Sequence, residues 1–243
     1  MAPKASRKNG NREEKVEEAG GQQSKRRKPS VPVPVSRCSP QLFVAVWEKI
    51  KGAITEEQRA AVRRTPFGHF VDCPKCPNSA TWLEAIRRCY SEEQNGFVLG
   101  ENLIVQFSAR EFSCVLGLRY AGFDVHPKAT QSSKTVDKFF GGKVGLVKRD
   151  NIIDCVQKEA GRCEPSEFAR LYILLVFSVL LYPTSHLYVP PHVVHYVDDL
   201  DLIGEYAWGK SVYEFVAGSL KQCAKGKRYM DGCTLGLMLS LQF

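Results

Sequence analysis

The sequence predicts a mainly α fold: a single helical domain with a small β-hairpin, preceded by a disordered basic tail. Three observations carry this. Apolar residues recur at helical spacing in most segments after Pro40, one passage around Gly100 has the short β-prone runs of a hairpin, and residues 1–36 hold no aromatic residue. Apolar residues make up 44% of the 243 and charged residues 25%, an ordinary globular balance, so the disorder belongs to the tail alone. The organisation that follows is a tail over 1–36 and a helical domain over 37–243.

The tail carries nine Lys/Arg against four Glu, so +5 of the chain's net +8 lies there. Its Gly, Gln, Ser and Glu cannot offset the entropy of ordering. Within it, Lys25, Arg26, Arg27 and Lys28 precede Pro29, a cluster that a nuclear import receptor can read on an exposed strand; the alternative is a solvated charge run. Val31 to Val35, with Pro32 and Pro34 between the valines, reads as a stiff extended spacer.

The domain opens near Pro40. Leu42, Phe43, Val46, Trp47 and Ile50 define a first helix up to Gly52, and the Thr55/Gln58 capping box starts a second that ends before Pro66. Asn78 or Ser79 caps a third, with Trp82, Ile86, Cys89 and Tyr90 on one face. Residues 97–118 form a hairpin about Gly100-Glu101-Asn102, followed by a helix. That helix has a Ser108/Glu111 capping box, Phe107 and Phe112 at the hydrophobic-staple positions and Gly117 at a left-handed stop.

Residues 122–148, polar and rich in Gly and Lys, read as a long surface connection with a short helix at 135–140. A helix over 151–160 stops at Gly161. Pro165 then opens a buried helix containing Leu171 to Tyr182, an apolar run too short for a bilayer, which needs about 20 residues, and Pro183 closes it. Val193, Val197, Leu200 and Ile203 predict another helix, and Val212, Phe215, Val216 and Leu220 the next. The apolar finish from Leu235 to Phe243 suggests a fragment or truncated reading frame.

Four passages together resemble a known family: RTPFGHF at 64–70, NGFVLGENLIVQFSAREFSCVLGLRYAG at 95–122, LLYPTS at 180–185 and DDLDLIGEYAWGKSVYEF at 198–215. The pattern is similar to that of the plant mobile-domain proteins, also called aminotransferase-like, and of the related domain of unknown function found upstream of SUMO-type cysteine proteases in plant transposons. The resemblance implies a helical domain carried by, or domesticated from, mobile elements, with nuclear residence and no catalysis of its own. It supplies no catalytic residues, and any protease triad would lie downstream. Cys73 and Cys76 are not part of the pattern.

Each chemistry-bearing constellation has a simpler alternative. His69, Cys73, Cys76 and Cys89 form H-x3-C-x2-C-x12-C, enough ligands for tetrahedral zinc, but the Cys89 position on an apolar helix face and the lack of a second C-x-x-C favour incidental cysteines. Cys73-Pro-Lys-Cys76 as a redox dithiol lacks the preceding strand that such folds provide. Tyr196-Val197-Asp198-Asp199 spells a polymerase-like YxDD without the third carboxylate that two-metal catalysis needs, so a solvated helix face is the simpler reading. His186, His192 and His195 have no ligand-like spacing, and no phosphate-binding glycine loop or serine elbow occurs.

Nine cysteines, an odd count without an apolar leader, point to a reducing compartment and no disulfide framework. Lys138, Lys143, Lys148, Arg149, Lys221, Lys225, Lys227 and Arg228, with the tail, are the residues available for non-specific phosphate contact. The expectation is a nuclear, non-enzymatic, cofactor-free binding or scaffold module. Its expected partners are an import receptor, an unidentified nuclear protein and non-specific DNA, with no membrane. The alternatives are a DNA-binding accessory of a mobile element and the non-catalytic N-terminal part of a protease polyprotein.

Overall fold

The computed structural model describes residues 32–76, 79–101, 103–126, 131–142 and 147–241. The tail up to residue 31, and with it the import cluster Lys25, Arg26, Arg27 and Lys28, lies outside the described residues, as do Asn78, Asn102 and Lys143. What is described is mainly α, with one small antiparallel sheet and one short parallel pair.

Helix α1 (Pro40–Ile50) starts where Ser39 accepts from the Leu42 amide, and it buries Phe43, Val46, Trp47 and Ile50 on one stripe. The Thr55/Gln58 capping box is complete at the start of α2 (Glu56–Arg64). The Gln58 side chain is buried and does more than cap: its amide donates to the Cys163 carbonyl at 2.8 Å, and its Oε1 accepts from Gly161 N at 2.8 Å. Ser79 caps α3 (Ala80–Cys89). Here the apolar face is rotated from the expected one: Leu83 and Ile86 are buried, Trp82 is 37% exposed, and Tyr90 has left the helix to open a strand.

Strands β2 (Tyr90–Ser91), β3 (Gly96–Val98) and β4 (Ile104–Gln106) form the antiparallel sheet in that order. The hairpin is as expected; the two-residue β2, read as helix end, is the addition. Ser108 caps α4 (Ala109–Val115), although the Glu111 carboxylate accepts from the Ser108 hydroxyl at 2.9 Å instead of the backbone amide of a full capping box. Phe107 and Phe112 meet edge to face with centroids 5.7 Å apart, and Gly117 has φ +62°, as the staple and stop require.

In the connection over 122–148, Ser133 caps α5 (Lys134–Phe140), yet Val125, Ser133, Val136 and Val147 are buried, so the segment is tied into the core more closely than a surface loop. Helix α6 (Arg149–Glu159) leads through Gly161, φ +73°, to α7 (Pro165–Val176). The apolar run Leu171 to Tyr182 is buried throughout, and its second half, Phe177–Leu181, widens into a π-helical turn. Tyr172 is ringed by Phe43 and Trp47, with centroids at 6.1 and 5.7 Å, while its hydroxyl donates to the Phe67 carbonyl at 3.0 Å.

The single helix expected over Val193 to Ile203 is instead three short pieces: α8 (Pro191–Val194) and 3-10 turns at His195–Asp198 and Ile203–Glu205. Asp199 breaks the path, with extended φ −113° and its carboxylate accepting from the Asp201 and Leu202 amides, a local turn that competes with the helix. Helix α9 (Trp208–Ala224) packs along α4, and α10 (Thr234–Leu239) is the last helix of the described chain. The spacer expectation is also revised at its end. Val35–Ser36 is strand β1, paired in parallel with β5 (Tyr229–Met230), and the described residues from Pro32 onward form one unit.

Candidate functional site

Of the zinc candidates, His69 and Cys73 already have partners in the fold. His69 Nε2 stands 2.8 Å from the Leu116 carbonyl, its ring lies against Phe70, and the Cys73 thiol donates to the Pro74 carbonyl at 3.6 Å. Among the described residues no group of three or more His, Cys, Asp or Glu is placed to hold a metal ion. Burial pushes the Cys73 thiol up to about 11, the reverse of what an attacking dithiol needs.

The YxDD acids have separate structural duties. Asp198 binds the start of α5: it accepts from Lys134 N at 2.8 Å, Thr135 N at 3.0 Å, Thr135 Oγ1 at 2.6 Å and Ser133 Oγ at 3.1 Å. Asp199 serves its own turn. A carboxylate with four protein donors has its lone pairs committed and is poorly disposed to share a metal with its neighbour.

The histidines divide as well. His192 is half-buried beside Tyr182 and Phe215, with ring centroids at 6.2 and 6.4 Å, and burial holds its pKa below the usual range. His195 stacks on Tyr196 at 4.0 Å. His192 shares a cleft of about 480 Å³ with Ser211, Glu214 and Asp231, but Ser211 is engaged by the Tyr182 hydroxyl at 2.8 Å and Asp231 Oδ2 by Lys227 at 2.9 Å.

The basic residues expected to contact phosphate are largely occupied. Arg149 is buried, its guanidinium donating to the Ser178 carbonyl at 3.0 and 3.2 Å and to the Arg37 carbonyl at 2.7 Å. Lys138 pairs with Glu167, Lys221 and Lys225 both pair with Glu92, and Lys227 pairs with Asp231. Lys148 and Arg228 lie over the rings of Tyr188 and Tyr229.

The apolar surface that sequence reasoning passed over lies at the hairpin. Leu99, Leu103 and Ile104 are 51%, 56% and 41% exposed, with Val98 and Trp82 exposed nearby. Leu99 N donates to Leu103 O at 2.9 Å and Phe107 N to Asn95 O at 3.3 Å. Residues 103, 105 and 107 therefore turn their peptide groups toward β3, and Ile104 and Gln106 turn theirs to an edge that no other described strand covers. A groove of about 630 Å³ runs beside this edge between β4 and α4, lined by Val105, Phe107, Arg110, Cys114 and Leu241 among others. The unbroken apolar run Leu103-Ile104-Val105 was the available signal, but a hairpin read as a local motif does not say which of its edges is covered.

A family model described as a domain of unknown function (DUF8566) matches residues 36–238. Neither the curated proteins nor the solved structures contain a match to this chain.

Proposed function

We propose that this chain, which belongs to the DUF8566 family, acts as a non-enzymatic binding or scaffold module of a nuclear protein related to mobile elements, of the plant mobile-domain type. The observation that carries the binding role is the open β4 edge beside an apolar groove. An unpaired edge offers amide donors and carbonyl acceptors at strand spacing, and the flanking apolar side chains favour a partner with alternating apolar residues. The partner that fits is an extended protein segment adding a fourth strand. The four sequence passages support the kinship with mobile-domain proteins, and the Lys25-Arg26-Arg27-Lys28 cluster supports nuclear entry through an import receptor. The committed hydrogen bonds of His69, Asp198 and Ser211 support a role without catalysis or a cofactor.

The test is selection from a displayed library of random peptides on the full chain. Enriched peptides are expected to alternate apolar and polar residues, and to lose binding when Gln106→Pro removes an outward amide donor or Leu103→Asp charges the apolar rim. Proline is tolerated at an outward edge position, so Gln106→Pro leaves the fold in place. Peptide binding that survives both substitutions, or salt-sensitive binding to duplex DNA by the same surface, overturns this reading in favour of a DNA-binding accessory.

A further inference from the structure

We infer that Cys38 and Cys233 form an oxidation site, able to close a disulfide that joins the first strand of the domain to its last helix. Two short segments bring them together. Strand β1 ends two residues before Cys38, β5 ends three before Cys233, and these strands pair in parallel with Ser36 opposite Met230. The link continues past the strands, where Ser36 Oγ and Thr234 Oγ1 are 2.8 Å apart. The two thiols are hydrogen-bonded to one another, and both are fully buried.

The surroundings supply donors and an acceptor. Gly236 N–H donates to Cys233 Sγ at 3.4 Å, and the Cys38 thiol donates to the Leu180 carbonyl at 3.4 Å. Besides Cys233, Cys38 has the Thr234 hydroxyl and the Thr234 and Leu235 amides in reach, and these donors hold its pKa below the ordinary thiol value. The partner thiol is held well above it, by the bond to Cys38 first and burial second. Release of the Cys38 proton, held in the resting thiol by its hydrogen bond to the Leu180 carbonyl, gives the thiolate that begins a two-step oxidation, with the Cys233 thiol beside it as the resolving group.

With hydrogen peroxide as oxidant the atoms balance. The Cys38 thiolate attacks one peroxide oxygen, the O–O bond breaks, and the released hydroxide takes a proton to leave as water, giving a sulfenic acid. Cys233 Sγ then attacks Cys38 Sγ, the S–O bond breaks, and the oxygen departs as a second water with the thiol proton. Access needs a brief release of the segment around Cys38, which is held by a two-residue strand, so reaction is expected to be slower than at exposed Cys114.

The experiment treats the folded full chain with peroxide, blocks the remaining thiols and maps peptides by mass. A Cys38–Cys233 linked peptide is expected, together with a rise in Tm of about 10 °C that a reductant reverses, the scale of a long-loop cross-link. Cys73 is the competitor to exclude, since it is coupled electrostatically to both thiols. The link is therefore expected to survive in Cys73→Ser and vanish in Cys233→Ser. Separate blocking of Cys38 and Cys233 after oxidation, or a link from either of them to Cys73 in place of the pair, overturns the inference. Neither outcome bears on the peptide edge, which lies elsewhere.

Discussion

At the scale of single residues, the acidic pair Asp198 and Asp199 shows how far a motif can mislead when its neighbours in space are unknown. Along the chain the two carboxylates are equivalent; in the fold one organises a helix and the other a turn. Asp198→Ala would strip four hydrogen bonds from Ser133, Lys134 and Thr135, two of which are buried residues, and is expected to cost about 2–3 kcal/mol in urea unfolding. Asp199→Ala, at an exposed turn, should cost under about 1 kcal/mol. Equal effects from the two would indicate that they act as a unit, as a metal-holding pair does, and would count against separate structural duties for them.

Among elements, α3 offers a pH-dependent case. Glu84 accepts from Arg87 at 2.7 and 2.8 Å and from Arg88 at 2.6 Å, and the Arg87 hydrogen bonds, ahead of Arg88, hold its carboxyl down at about 2. Because the folded value is depressed, the contribution is full above the ordinary value near 4.5 and disappears as pH falls toward 2. Glu84→Gln should therefore lower stability by about 1 kcal/mol at pH 7, with the gap to the parent closing between about pH 4.5 and 2.5. A gap unchanged over that range in paired thermal melts would show that the glutamate acts by packing alone. The other elements show what was legible and why. Caps, prolines and helical stripes are local, so α1, α2, α4, α6 and α7 follow from their own residues. Strand β1 depends on a partner far along the chain, Tyr229–Met230, which no local window contains, whereas the break at Asp199 is a local turn that the helical spacing of Val193, Val197, Leu200 and Ile203 concealed. The π turn at Phe177–Leu181 is likewise tertiary: the Ser178 carbonyl accepts from buried Arg149, a residue that sequence alone placed among the phosphate contacts.

Across the whole molecule, charge and its pairing decide between a protein-binding domain and a DNA-binding one. The candidate site was less legible than the fold because motif spacing reports residue types, whereas a site requires free donors and acceptors, and His69, Asp198 and Arg149 prove to be spent on the fold. Of the domain's eight cations named above, Lys138, Lys221, Lys225 and Lys227 pair with Glu167, Glu92 or Asp231. The tail keeps the densest run of positive charge, Lys25 through Lys28. Any DNA affinity of the full chain should then come chiefly from the tail, and replacing Lys25, Arg26, Arg27 and Lys28 by Ala in the full chain measures it. Each phosphate contact contributes roughly 0.9 to the slope of log affinity against log salt concentration, so the substitution should flatten that slope by about 3 to 4 if all four touch phosphate. A slope that stays steep after the substitution would require a phosphate-contacting face on the domain itself. The paired lysines at Glu92 would then have to exchange their carboxylate for DNA, and Lys221→Ala and Lys225→Ala would be the next substitutions to reduce it.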